Sequence, residues 1–149
     1  MYSIDTIAVP YEGTEPARLA RWTRRFMLAC HWSLAASFVI AWCSDCLGTL
    51  HQGAGVLALA LVLLRLLWGF VVGASARRET GRAGAAIVLV VLAAVGLAGL
   101  TGWMLTLDTL RGEVPLALAH MWAVDLTLVA VGVHVLDTLF GGLHLSPRA

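Results

Sequence analysis

The sequence has few charged residues and no lysine. Only 13% of its 149 residues are charged, 60% are hydrophobic, and the mean hydropathy is +0.85. A soluble domain of this size does not expose so few charges, so the composition argues against a soluble globular protein and favours a membrane protein. All basic residues are arginines, and only Arg65 lies inside an apolar stretch. There is no long repeat or low-complexity tract, and the linkers are too short to hold a soluble domain.

Four apolar segments cover about residues 26–43, 50–72, 85–104 and 115–140. Each approaches the ~20 residues that a helix needs to cross a ~30 Å hydrocarbon core. In lipid every backbone polar group must be satisfied internally, so we expect helices. The sequence therefore predicts an all-α, integral membrane four-helix bundle over residues 26–141, with a polar tail at 142–149. Residues 1–25 contain acidic residues and arginines but no apolar core, which predicts a polar arm rather than a signal peptide.

The arginines predict the orientation of the bundle. Eight of them lie in the arm, in the loop after the second segment and in the tail, whereas the first and third loops contain only Arg111. Because basic residues favour the cytoplasmic side, we expect both termini in the cytoplasm.

Four histidines lie in or at the edges of the apolar segments: His31, His51, His120 and His134. Ionisable residues at membrane depth are costly, so each is a candidate functional residue. In the predicted topology His31 and His134 share the inner level, and His51 and His120 share the outer level. The 14-residue step from His120 to His134 returns to the same helix face within about 40° and spans ~21 Å. The sequence therefore predicts two stacked imidazole pairs.

An imidazole pair could be a metal site, a proton relay or a haem site, or each ring could simply bond a neighbouring carbonyl or hydroxyl. Zinc normally takes four ligands, and neither level offers further cysteine or carboxylate ligands. A haem needs two axial ligands and suits the interior of a bundle. Gly53, Gly55 and Gly132, near the histidines, would make room for the macrocycle. Without a C-x-x-C-H motif, attachment would be non-covalent. We therefore expect two b haems, with iron held by His31 and His134 at the inner level and by His51 and His120 at the outer level.

Two arginines are candidate partners of the inner haem. Arg65 follows His51 by 14 residues, which places it on the same helix face at the inner level. It could donate a charge-assisted hydrogen bond to a haem propionate, or its side chain could extend to the cytoplasmic interface instead. Arg25, six residues before His31, is the second candidate.

Three stretches resemble the bacterial cytochrome b561 family, which includes the cytochrome b subunits of nickel-iron hydrogenases and of membrane formate dehydrogenases. The run from Arg25 to Trp32 resembles the opening of its first helix, the stretch 51–70 its second, and the histidine spacing of 120–134 its fourth. The resemblance covers about residues 24–140. It implies a di-haem protein of the bacterial inner membrane, with the same four histidine ligands, that exchanges electrons with the quinone pool. This chain departs from the family pattern at two positions. Many members have an acidic residue where this chain has Met121, and members often have asparagine where this chain has Asp125.

The expected function is therefore electron transfer between membrane quinone and a redox partner. Two protein ligands per iron leave no open position, so such centres carry electrons rather than activate ligands. The partner could be a periplasmic cytochrome or a dehydrogenase subunit of a respiratory complex, or the chain could be a stand-alone quinone-linked oxidoreductase. Lipid is an expected partner, nucleic acid is not, and homodimerisation stays open.

Two other functions compete with this interpretation. Cys43 and Cys46 form a C-x-x-C at the outer end of the first helix, which is typical of a quinone-linked membrane thiol oxidoreductase. Such a relay needs a second cysteine pair, and the remaining Cys30 lies near the opposite face. A non-redox membrane anchor subunit is the other alternative.

Overall fold

Four long helices make up nearly all of the computed structural model, which describes residues 14–45, 47–72 and 82–144. They are α1 (Thr14–Cys43), α2 (Gly48–Val72), α3 (Arg82–Met104) and α4 (Val114–His144). The predicted all-helical fold is confirmed, and the first three helices end where their apolar segments end. Helix α1 begins at Thr14, so the second half of the predicted polar arm is helical. Helix α4 also continues beyond its apolar segment, and Cys46 lies outside the described residues.

Each helix contains a segment that is long and apolar enough to cross a membrane. The four spans are Ala20–Cys43, Gly48–Phe70, Gly84–Met104 and Val114–Phe140, with mean hydropathies of 1.6 to 2.4. Their outer surfaces carry large apolar side chains, including Trp32, Phe70 and Trp122, which are 68%, 78% and 70% exposed. Apolar surface on this scale is stable in lipid rather than in water. The chain is therefore a multi-pass membrane protein.

Helices that follow one another in the chain pack side by side. Among the described residues, extensive packing joins α1 to α2, α2 to α3, and α3 to α4, but no comparable packing joins α1 or α2 to α4. A buried apolar cluster fills the middle of the first three helices, formed by Leu34, Ala58, Val62, Leu92 and Val95. On α4, Thr127 is fully buried and its hydroxyl donates to the carbonyl of Ala123 at 2.8 Å.

The connections define the two ends of the bundle. Helices α1 and α2 are joined by residues 44–47, where the amide of Leu47 donates to the carbonyl of Ser44 at 2.8 Å. Helices α3 and α4 are joined by residues 105–113, which include Gly112 at a φ of 91°, a conformation that glycine adopts without strain. Pro115 then lies in the first turn of α4, where its missing N–H removes no helical hydrogen bond. We call this end the connection end, and the opposite end, where α1 and α3 begin, the terminal end.

Candidate paired-histidine sites

The four histidines of the apolar segments form two pairs in the folded chain. The ring centroids of His31 and His134 lie 6.3 Å apart with an interplanar angle of 70°. Those of His51 and His120 lie 6.2 Å apart with an angle of 87°. These are the two pairs that the position of each histidine along its helix predicts. The terminal-end pair joins α1 to α4 and the connection-end pair joins α2 to α4, across the places where these helices do not pack extensively.

Both imidazoles of the connection-end pair donate a hydrogen bond through Nδ1 to a backbone carbonyl. The acceptor for His51 is Ala41, at 2.8 Å, and the acceptor for His120 is Ala98, at 3.0 Å. Ala41 lies in the last turn of α1, and its carbonyl also accepts from the amide of Ser44 at 3.3 Å, so the imidazole of His51 is a further donor at the end of that helix. A carbonyl can only accept, so Nδ1 carries the proton in both rings and Nε2 keeps its lone pair. This is the usual arrangement of a metal-binding histidine.

Helix α3 provides a close-fitting surface for the ring of His120. The hydroxyl of Thr101 lies 3.2 Å from its Nδ1 and also lies 2.8 Å from the carbonyl of Leu97 in its own helix. At Gly102 a Cβ atom would lie 2.9 Å from Cε1 of His120 and 3.3 Å from its Nδ1. Real Cβ atoms do not approach so closely, so the ring occupies the space that glycine leaves. Neither residue was predicted from the sequence as part of the site.

The terminal-end pair lies in a different environment. Nδ1 of His134 is buried and has no hydrogen-bond partner within the described part of the chain. The ring of His31 meets the edge of Trp32, with centroids 5.5 Å apart. The alternative in which each histidine only bonds a neighbouring carbonyl or hydroxyl therefore does not describe His134. A buried polar nitrogen without a partner is destabilising by about 1–3 kcal/mol, which favours a ligand at this ring.

The structure separates the two candidate arginines. Nη1 of Arg65 lies 3.5 Å from the carbonyl of Met27, one helical turn before His31. Its guanidinium group thus reaches α1 at the level of the terminal-end pair, as the helix spacing predicts. Arg25 is exposed, and no described hydrogen bond or ion pair joins it to either imidazole. Of the two arginines, Arg65 is therefore the one that lies beside the terminal-end pair.

A cavity of about 400 Å³ adjoins the connection-end pair. All four helices contribute to a mostly apolar wall, which includes both imidazoles and Gly55. Two exposed acidic residues, Asp45 and Asp125, are also among the residues that line it. Gly53 and Gly132 are exposed and would have open space around a Cβ atom. Of the three glycines expected to make room for a cofactor, Gly55 is therefore the one that lines this cavity.

The position of Asp125 at the same cavity as His120 is not the one that helix geometry suggests. It follows His120 by five residues, which turns it about 140° away from that ring on the helix. The cavity is wide enough to reach both positions. Within the described residues no group of three or more His, Cys, Asp or Glu side chains could hold one metal ion. Each level therefore offers two imidazoles as its donor set.

No protein-family model, curated protein or solved structure matches this chain. The function is therefore argued from the geometry of the two pairs.

Proposed function

We propose that this protein is a di-haem b-type cytochrome of the bacterial inner membrane, of the cytochrome b561 kind. It would carry electrons between the quinone pool and a redox partner, either alone or as a subunit of a respiratory complex. The arginine distribution supports cytoplasmic termini, which makes the terminal-end pair the inner site and the connection-end pair the outer site.

The separation of the rings carries the proposal. A metal–imidazole bond is ~2.0–2.1 Å long, so two imidazoles on opposite sides of one metal atom have their centroids about 6–6.5 Å apart once the ring radii are added. The observed separations are 6.3 Å and 6.2 Å. One metal atom placed between two rings at this distance would contact both. A haem iron needs two axial ligands of this kind.

The surroundings of the rings fit the same cofactor. The proton on Nδ1 of His51 and of His120 leaves the nitrogen that a metal requires, and the cavity beside them has the apolar wall that a macrocycle prefers. Arg65 provides a cation near His31, where lipid would offer none to a propionate. Bound haem supplies one-electron chemistry. The side chains hold, orient and shield it, and two imidazoles per iron leave no position for oxygen or substrate.

The direct test is haem binding by the full-length chain, purified in mild detergent from cells supplied with haem. We expect two b haems per chain in a reduced-minus-oxidised spectrum. His51→Ala and His120→Ala should each remove the same spectral component, and His31→Ala and His134→Ala the other. His144→Ala, which changes the fifth histidine, is the control and should keep both. A chain that binds no haem would end the proposal.

The redox partners need a second experiment. The purified protein in lipid vesicles should be reduced by a quinol, and reduction should slow when either pair is disrupted. Purification in mild detergent distinguishes a stand-alone protein from a subunit, because a subunit should bring its partners. A haem-loaded protein that quinol cannot reduce, and that binds no partner, would contradict the quinone link while leaving the cytochrome assignment intact.

A further inference from the structure

Two threonines are buried in the described part of the bundle, and their hydroxyls have different surroundings. Thr127 on α4 is fully buried and donates to the carbonyl of Ala123 at 2.8 Å, within its own helix. Thr101 on α3 is 7% exposed and makes the same kind of hydrogen bond, to the carbonyl of Leu97 at 2.8 Å. Its Oγ1 also lies 3.2 Å from Nδ1 of His120, across the contact between α3 and α4. A hydrogen bond within the helix is common for a buried threonine, so it leaves the second contact of Thr101 to be explained.

The proton on Nδ1 of His120 determines the direction of this second contact. That nitrogen donates to the carbonyl of Ala98 at 3.0 Å, so it cannot also accept from a hydroxyl. The hydroxyl hydrogen of Thr101 goes to the carbonyl of Leu97 at 2.8 Å or to that of Ala98 at 3.1 Å. The lone pairs of Oγ1 remain for the imidazole N–H, because a hydroxyl has one donor and two acceptor sites. The N–H of His120 is therefore shared between two acceptors of α3, a carbonyl and a hydroxyl.

Two acceptors restrict the imidazole more than one does. With the carbonyl of Ala98 alone, the ring could tilt while its N–H still pointed at that oxygen. The hydroxyl of Thr101, one turn of α3 further along, limits this tilt. On the other side of the ring, Cε1 occupies the space that Gly102 leaves, where a Cβ atom would lie only 2.9 Å away. Helix α3 contains no histidine, yet it determines how the ring of His120 is oriented.

We propose that Thr101 is a positioning residue of the connection-end pair. Its hydroxyl accepts from Nδ1 of His120 and holds the ring in the orientation that leaves Nε2 free to bind iron. The inference rests on the proposed function and adds to it a residue that acts through a ligand rather than on the iron. A group that orients a metal ligand contributes to the affinity for the metal.

Three variants of the full-length, haem-loaded protein test this role. Thr101→Val keeps the branched shape but replaces the hydroxyl with a methyl group, and Thr101→Ser keeps the hydroxyl. Thr127→Val is the matched control, because it also removes a buried hydroxyl with a hydrogen bond in its own helix, but no described contact joins that hydroxyl to an imidazole. The histidine variants described above assign the two spectral components to the two pairs.

The first measurement is haem loss to an excess of a soluble haem-binding protein, followed by absorption spectroscopy. Thr101→Val should lose the connection-end haem about tenfold faster than the wild type, and the terminal-end haem at the wild-type rate. Thr101→Ser and Thr127→Val should lose both haems as the wild type does. The unchanged terminal-end component shows that the Thr101→Val protein is folded.

The second measurement is electron paramagnetic resonance of the oxidised protein. The g values of a low-spin iron depend on the angle between its two axial imidazole planes, which is 87° between His51 and His120. We expect Thr101→Val to shift the connection-end signal alone, and Thr101→Ser to restore it. Wild-type haem loss and signals in Thr101→Val, or equal changes in Thr127→Val, would overturn the positioning role and leave the cytochrome assignment intact. A wild-type chain that binds no haem would overturn both.

Discussion

At the scale of single residues, the most sensitive position outside the histidines is Gly102. A methyl group here would lie 2.9 Å from Cε1 of His120, so Gly102→Ala should push that ring away from its acceptor, the carbonyl of Ala98. Changes to groups that orient a metal ligand typically reduce affinity 10–100-fold. We expect the connection-end component of the haem spectrum to be lost or weakened at limiting haem, and the terminal-end component to remain.

Gly96 offers a control for this variant on the same helix. A Cβ atom at Gly96 would meet Cγ1 of Val62 at 3.5 Å, an ordinary van der Waals contact. Gly96→Ala should therefore bind both haems as the wild type does. Equal haem binding by the Gly102 and Gly96 variants would show that the contact with His120 does not matter.

At the scale of the helices, the closest approach described between a glycine of α3 and helix α2 is between Gly99 and Leu59. A Cβ atom at Gly99 would lie 2.9 Å from Cβ of Leu59 and 3.5 Å from its Cα. These atoms belong to the backbone or adjoin it, so they cannot move without the helix. Gly99→Ala should therefore separate α2 from α3 and destabilise the protein by about 1–3 kcal/mol, the usual cost of overpacking. A lower Tm in detergent is the measurement.

The same separation would also disturb the connection-end pair, because His51 lies on α2 and the acceptor of His120 lies on α3. Gly53→Ala is the control, since a Cβ atom there meets open space on α2. Alanine also has the higher helix propensity, so this control should be as stable as the wild type or slightly more stable. A Gly99 variant with an unchanged Tm would show that the helices have room to adjust.

The helix ends show what hydropathy can and cannot predict. The ends at Cys43, Val72 and Met104 coincide with the ends of apolar segments because the chain there leaves the region where only helices are tolerated. The start of α1 at Thr14 was not predicted. Its first residues are polar, and a polar helix that continues out of the membrane carries no hydropathy signal.

The candidate site also has features that the sequence predicts and features that it does not. The pairs His31 with His134 and His51 with His120 could be predicted, because the rise per residue fixes the height of each ring once the topology is known. The carbonyls of Ala41 and Ala98 could not, since every residue has a carbonyl and only the packing decides which one an imidazole meets. Asp125 was missed for another reason. Helical angles give the direction of a side chain, whereas the width of a cavity depends on how far apart the helices pack.

At the scale of the whole molecule, four spans place the start of α1 and the end of α4 on one side of the membrane, and the arginine distribution supports the proposal that this side is the cytoplasm. The orientation can be measured by labelling single cysteines in a variant whose three native cysteines have been replaced. Two exposed positions are suitable: Arg18→Cys at the terminal end and Asp108→Cys at the connection end. In spheroplasts, a membrane-impermeant thiol reagent should label the cysteine at position 108 and should reach the one at 18 only after the membrane is permeabilised. Labelling of position 18 from outside would reverse the orientation. The connection-end pair would then lie on the cytoplasmic side and the terminal-end pair on the outer side.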